Sequence, residues 1–169
     1  ISSATFYELH HIIQIAFGWE NSHLFQFKTE DYFIGLPDPE FDISDNIKVI
    51  DAKDVVLSKL FTEAGDEIEY EYDFGDSWVY SVVMEKYLPI EPGFYYPSCL
   101  AGKRAAPPEN CGGVPGYALM IEATANEHHP EYKQYQELFG ERKVFDPEHF
   151  DIDKVNKQLA HLKKTHQTD

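Results

Sequence analysis

The plainest pattern in this chain runs through residues 66–87. Ile68, Tyr70, Tyr72 and Phe74 alternate with Glu67, Glu69, Glu71 and Asp73, and then Trp78, Tyr80, Val82 and Met84 alternate with Val79, Ser81, Val83 and Glu85. Strict alternation is the period of a strand. Gly75-Asp76 separates the two runs, so the segment reads as a β-hairpin with one aromatic face. The first strand is acidic on its other face, which suits water better than a cationic partner. Upstream the period changes to that of a helix. Phe6, Leu9, Ile12, Ile13, Ala16 and Phe17 recur at helical spacing behind a Thr5–Glu8 capping box, and Gly18 ends the run. Residues 22–28 and 31–35 read as short strands. Residues 36–46 form a Pro/Asp loop, 47–50 a further strand, and Ser58 the cap of a short helix ending at Gly65.

Beyond the hairpin the periodicity stops. Tyr95 to Tyr117 holds both cysteines and four of the ten prolines. Irregular loops longer than about 12–15 residues are uncommon in compact domains and are usually functional or disordered. This one is too specific in composition for disorder. Helical patterns follow it. Pro115 suits a first turn ahead of Tyr117–Ala125, and Pro130 opens a helix bearing Tyr132, Tyr135, Leu138 and Phe139, stopped by Gly140. Asp146-Pro147 reads as a cap and first-turn pair for a last helix carrying Ile152, Val155, Leu159 and Leu162. Strands first and helices afterwards predict an α+β fold. The expectation is a single domain over 1–169, with an antiparallel sheet built around the hairpin and helices mainly in the C-terminal half.

Composition narrows the function. The net charge is −16, from 30 acidic and 14 basic residues. Such a field repels phosphate backbones, and the basic residues are scattered, so nucleic acid is a poor partner. No apolar run approaches a membrane span, and no signal peptide precedes the first helix. Two cysteines are too few for a secreted disulfide framework. These features predict a soluble, cytoplasmic protein.

The motifs YEYDFGDSW (70–78), CLAGKRAAPPENCGG-x-PGY (99–117), HPE (129–131) and FDP…FD-x-x-x-VN (145–156), with LHHIIQIAFGW-x-x-SHL (9–24), resemble the Ri-plasmid open-reading-frame-three-like family, also described as the insertion-element passenger TnpR family. The resemblance spans nearly the whole chain. It implies fold and boundaries but brings no established activity. Members usually begin with a strand ahead of the first helix, and this chain starts almost at the helix cap, so that strand is expected to be missing here. The resolvase-like label suggests DNA recombination. The sequence has no basic arm and no helix-turn-helix to support it.

Several side chains are candidates for chemistry, each with a plainer alternative. Asp73, Asp76 and Glu109 are possible acid–base or ligand carboxylates, although Asp and Gly also serve hairpin turns. Asp73-Phe-Gly-Asp76 superficially matches the kinase magnesium motif, but no companion kinase segment is present. Cys99 and Cys111 are eleven residues apart, which is not metal-ligand spacing. They are free thiols packing the loop, a disulfide, or part of a metal set completed by His128, His129 or His23. No cofactor is implied. His23 shares the parity of Phe25 and Phe27 and should face the core side. Gly112-Gly113 offers either a tight turn or amides to an anion.

These readings lead to a binding or interaction domain that presents loop 95–117 and the hairpin tip 73–78 to a protein or small ligand. The candidate cluster is His23, Asp73, Asp76, Trp78, Cys99, Arg104, Glu109, Cys111 and Tyr117. The alternatives are a metal-assisted enzyme using the clustered Asp, Glu and His, and a mobile-element accessory protein acting on nucleic acid. The loop is expected to pack on the hairpin tip through Tyr95, Leu100, Phe74 and Trp78. His23, Asp73, Asp76 and Glu109 are expected to converge beside it.

Overall fold

The computed structural model describes residues 3–37, 48–139 and 145–165. The chain runs α1 (Phe6–Phe17), β1 (Phe25–Lys28), β2 (Tyr32–Gly35), β3 (Lys48–Asp51), β4 (Glu67–Tyr72), β5 (Trp78–Val83), α2 (Gly113–Ala125), α3 (Tyr132–Phe139) and α4 (Ile152–Thr165). Five strands form one sheet in the order β3-β2-β1-β4-β5. The class is α+β, with the helices mostly in the C-terminal half. The sheet is mixed rather than wholly antiparallel. Its β1–β2, β1–β4 and β4–β5 pairs are antiparallel, but β2 and β3 run parallel. The link between β2 and β3 is long enough to return the chain to the same end, which a hairpin turn cannot do.

The alternating pattern of the hairpin decides which face of the sheet is buried. Ile68, Tyr70 and Tyr72 pair with Val82, Tyr80 and Trp78, and Tyr72 and Tyr70 pair on their other side with Phe25 and Phe27. This aromatic face is roofed by α1, whose capping box forms as expected and whose C-cap is Gly18 in the left-handed conformation. Phe6 meets Phe27 edge-on at 5.0 Å, and His10 stacks flat on Phe25 at 3.6 Å. The opposite face is polar. There the Lys28 ammonium lies 2.7 Å from Glu69 and 3.0 Å from Glu71, so the acidic side of β4 is partly met within the sheet. α4 packs beside α1 and buries Val155 and Leu159.

Four local expectations change. Ser58 caps no helix. Leu57–Lys59 is a single 3-10 turn with Val56 at its N-cap, and the Asp66 carboxylate holds the turn that follows by accepting from the Thr62 and Glu63 amides. α2 spans Gly113–Ala125, so Pro115 lies in its first turn as expected, but the irregular loop ends at Gly112 rather than at Tyr117. Pro130 lies in a turn, and α3 begins two residues later. Asp146-Pro147 is a turn, and Asp151 instead caps α4 through the Lys154 amide. A short aspartate side chain accepts wherever an unpaired amide first appears, so either Asp satisfied the sequence pattern. The Pro/Asp loop over most of 36–46 and the Gly140 stop lie outside the described residues.

A closed cycle of hydrogen bonds fixes α1 on the sheet. The Tyr70 hydroxyl donates to His10 Nδ1 and accepts from Gln14 Nε2. The Asn21 amide donates to Gln14 Oε1, and His10 Nε2–H donates to Asn21 Oδ1. All four residues are satisfied only while His10 is neutral. Burial pushes its pKa down to about 4 against the bond to Asn21, which raises it. An unfolded His takes up its proton near pH 6.5. Between about pH 6.5 and 4 the unfolded chain therefore holds the extra proton, and stability is lost as pH falls through that window. Urea melts at pH 7 and pH 5 should differ by roughly 2 kcal/mol, at 1.36 kcal/mol per pH unit. His10→Gln should lower stability at pH 7 and flatten this slope.

Candidate functional site

The alternation of β4 breaks at the hairpin tip. Asp73 adopts a left-handed backbone, φ 57°, and this turns its side chain inward and Phe74 outward. Asp73 is only 7% exposed, and Phe74 is 46% exposed rather than on the aromatic face. One Asp73 oxygen accepts from the Gly75 and Asp76 amides, at 3.0 and 3.2 Å, which closes the turn. Its other oxygen lies 3.4 Å from His23 Nε2. The turn chemistry read from the Asp-Gly content is therefore present. The same carboxylate also faces the histidine.

The loop does lie on the tip, and of the four expected anchors only Trp78 is buried there, its ring edge-on to Tyr117 at 6.2 Å, while polar and backbone contacts make the rest of the attachment. Tyr95 is 79% and Leu100 71% exposed, because proline and glycine on either side hold them out on an irregular strap. The real attachment is Glu109. Its Oε1 accepts from the Tyr72 hydroxyl at 2.8 Å and the Glu20 amide at 2.7 Å, and its Oε2 accepts from the Ser22 hydroxyl. Burial pushes the Glu109 carboxyl up, but the bonds from Ser22, Tyr72 and the Glu20 amide, with His23 nearby, outweigh it and hold it below the usual carboxylate range. His23 Nε2 lies 4.0 Å from Glu109 and 2.9 Å from Asn110 Oδ1. An amide oxygen only accepts, so Nε2 carries the hydrogen. His23 sits at the rim beyond the end of β1, its ring edge-on to Tyr72, not wholly on the core side.

The other arm of the attachment is Asp76. Its Oδ2 accepts from the Gly112 amide, and its carbonyl sits where a Cβ on Gly113 would be, at 2.7 Å. Gly113 has φ 65°, so both space and backbone require glycine there. The Gly112-Gly113 step is the tight-turn reading. Trp19 Nε1 donates to the Pro107 carbonyl while its ring stacks on Tyr72 at 4.7 Å. At the far end Asn156 of α4 clamps Cys99, accepting from its amide and donating to its carbonyl. Arg104 pairs with Glu148 at 2.9 Å.

Between these clamps the loop roofs a cavity of about 440 Å³. Phe17 of α1, Trp78 and Tyr80 of β5, Tyr117 and Phe150 form its walls, and residues 99 and 101–107 form the roof. Trp78 is 6% exposed, and its Nε1–H is buried without a partner.

A family model described as plasmid pRiA4b ORF-3-like protein matches residues 1–154. The chain belongs to the plasmid pRiA4b ORF-3-like family. The uncharacterized protein y4hQ of Sinorhizobium fredii (strain NBRC 101917 / NGR234) is 37% identical over 133 residues, which cover 78% of this chain and 66% of that protein, just short of two thirds of its length. The crystal structure of a protein of unknown function, MM3350 from Methanosarcina mazei Go1, superposes with a TM-score of 0.77 at 38% identity. It covers 91% of this chain and 84% of its own. Membership in the ORF-3-like family therefore carries the fold and no named activity.

In this ORF-3-like domain the structure brings His23, Asp73 and Glu109 into one group, with Asp76 bound to the same loop. Trp78, Tyr117, Arg104 and Cys99 gather at the cavity. Cys111 lies between, where burial and then the Asp76 charge push its thiol up to about 11. Both cysteines are free. Cys99, Cys111, His128 and His129 are not brought together. Cys99 Sγ donates to the Ala101 carbonyl, and His129 Nδ1 accepts from the Glu131 amide. Among the described residues no three His, Cys, Asp or Glu side chains form a set that could hold a metal ion. No described helix is long and apolar enough to cross a membrane. Sequence reasoning missed Tyr72, Ser22, Asn110, Trp19 and Asn156. Tyr72 was visible only as an aromatic of the hairpin face, and nothing in the pattern marks its hydroxyl as the one Glu109 reaches.

Glu109→Ala should destabilise the fold by roughly 1.5–3 kcal/mol, the range for hydrogen bonds to a charged group. Amide exchange should quicken at 19–23 and 109–113 together, and Glu109→Gln should show a smaller loss of both. Denatured protein should titrate two thiols per chain. In native protein at pH 8, Cys111 should alkylate about a thousandfold more slowly than an unhindered thiolate, because only the deprotonated fraction reacts.

Proposed function

We propose that this is a small-ligand binding domain whose site is the cavity between α1, the start of β5 and residues 99–107. One observation carries this reading: an aromatic-lined cavity of about 440 Å³ beneath the loop, walled by Phe17, Trp78, Tyr80, Tyr117 and Phe150. Interiors are otherwise close-packed, whereas ligand sites are concave, mostly apolar and oriented by a few polar groups. The volume falls at the small end of the 300–1,000 Å³ that such sites occupy, about. In this reading the 95–117 loop roofs the site, and the 73–78 tip holds the loop in place.

The carboxylates support binding over catalysis. General acid–base work needs a group facing the reactant. Glu109 instead faces Tyr72, Ser22 and the Glu20 amide, and Asp73 faces its own turn and His23. Their geometry is that of a latch.

Ligand-observed NMR with a panel of small aromatic and aliphatic fragments tests the reading. Fragments should bind the wild type and shift its tryptophan emission. Ala106→Trp, which fills the cavity from its roof, and Ala101→Trp at the exposed mouth should abolish binding while the denaturant midpoint stays within the range of a surface change. Binding that survives both substitutions would place any ligand elsewhere and end this proposal.

A further inference from the structure

We infer that the outer side of β5 is a self-association surface, on which a second copy of this chain adds its own β5 antiparallel across a two-fold axis at Ser81. The inference stands apart from the reading of the cavity.

The hydrogen-bond parity of the sheet locates the surface. The Asp73 amide donates to the Leu24 carbonyl, on the β1 side of β4. Successive residues of an antiparallel strand bond to opposite neighbours. Tyr72, Tyr70 and Ile68 therefore turn their backbone groups toward β5, where they pair with Trp78, Tyr80 and Val82. Met84 continues that series, donating to the Asp66 carbonyl and accepting from the Gly65 amide. Val79, Ser81 and Val83 are left with their N–H and C=O groups pointing away from β4. β5 ends the sheet, and among the described residues no strand or helix backbone lies close along its outer side. The side chains of the same three residues are exposed.

The two edges of this sheet are built differently. Proteins blunt a free edge with short strands, charged side chains or proline, because unpaired backbone groups template pairing with another chain. The β3 edge follows that rule, with four residues that include Lys48 and Asp51. The β5 edge does not. It has six residues, WVYSVV, without a charge or a proline. On a chain with 44 charged residues among 169, from 30 acidic and 14 basic, an uncharged edge is an edge kept free to pair.

The residues along the edge name the occupant. With Ser81 on the axis, Val79 lies opposite the partner's Val83, and Val83 opposite the partner's Val79. Each of the three outward residues then exchanges two backbone hydrogen bonds with its opposite number. The two valines, 45% and 46% exposed, cover one another on the outer face as a cross-strand pair. Beyond the strand ends the same axis brings the hairpin tip of one copy to the outgoing segment of the other. Asp76 meets the partner's Lys86, Ser77 meets the partner's Glu85, and Phe74 meets the partner's Leu88. No like charges face one another at these positions. A two-fold interface needs one patch complementary to itself, and this stretch is. Phe74, Val79, Val83, Tyr87 and Leu88 are all large and exposed. Together they leave roughly 400 Å² of apolar side chain in water, about half of the ~800 Å² that each partner gives to a standard interface. The edge backbone adds to that area. The charge of −16 on each copy opposes approach and keeps the dimer weak, although exposed charges are screened beyond about 8 Å at physiological salt.

Sedimentation velocity of the intact chain over roughly 1–200 µM, the span suited to a micromolar Kd, should pass from monomer to dimer and stop there. Amide exchange at Val79, Ser81 and Val83 should slow severalfold from the dilute to the concentrated end, while Tyr80 and Val82, already bonded to β4, stay unchanged. Ser81→Pro deletes one outward amide at a position where edge strands tolerate proline, and it should leave the chain monomeric. Val79→Lys, at an exposed position, should raise the dimer Kd about tenfold or more while the denaturant midpoint of the dilute protein stays within the range of a surface change. A chain that remains monomeric across the range would overturn the inference, as would growth past the dimer, since a two-fold closes at two. Dimers that survive both substitutions would place the interface elsewhere and overturn it too. Protection of Val79, Ser81 and Val83 that is independent of concentration would mean that the chain pairs this edge itself, with the same consequence.

Discussion

Two phenol hydroxyls, two residues apart on β4, govern this structure. The aromatic face of the hairpin supplies most of the core, and its burial carries the Tyr70 and Tyr72 hydroxyls out of water with it. A buried hydroxyl must find partners or the burial loses much of its gain. Tyr70 finds them in α1, through His10 and Gln14. Tyr72 finds them in the segment after α1 and in the long loop, through the Ser22 and His23 amides and Glu109. The orientation of the first helix and the position of the loop are thus two solutions to one problem, posed by adjacent outward tips of the same strand face.

The cavity follows from this. Glu109 and Gly113 bind the loop to the β4–β5 end, and Asn156 binds it to α4, so the stretch between them spans a gap it does not fill. The two tryptophans mark the difference. Trp19 lies where the loop is drawn down and gains the Pro107 carbonyl, and Trp78 lies where the loop arches over and gains nothing. The polar cluster that the sequence offers as chemistry is spent on holding the roof. The group left unmet is an apolar residue's single donor, which no search for acids, bases or metal ligands would select.

Much of the fold was legible from the chain. The capping box of Thr5 and Glu8, the left-handed Gly18, the hairpin alternation and the apolar stripe of α4 are local effects. Each depends on residues within a turn or two of one another, so periodicity and turn chemistry suffice. The errors were of the opposite kind. The parallel β2–β3 pair, the placement of Phe74 and the exposure of Tyr95 and Leu100 depend on where distant segments lie. A parallel and an antiparallel strand read alike along the chain, and alternation cannot register a single left-handed residue such as Asp73.

The same division holds for the site. By itself the sequence determined that an irregular loop follows the hairpin, although its last five residues, 113–117, belong to α2, and that Asp73 and Asp76 share a turn. It placed His23, Asp73 and Glu109 together only as an expectation. Tertiary structure alone decided that Glu109 meets Tyr72 across 37 residues, that Asn156 meets Cys99 across 57, and that Trp78 has no acceptor. Satisfaction of a buried polar atom is a property of everything packed around it. No residue type or spacing encodes it until the chain has closed on itself.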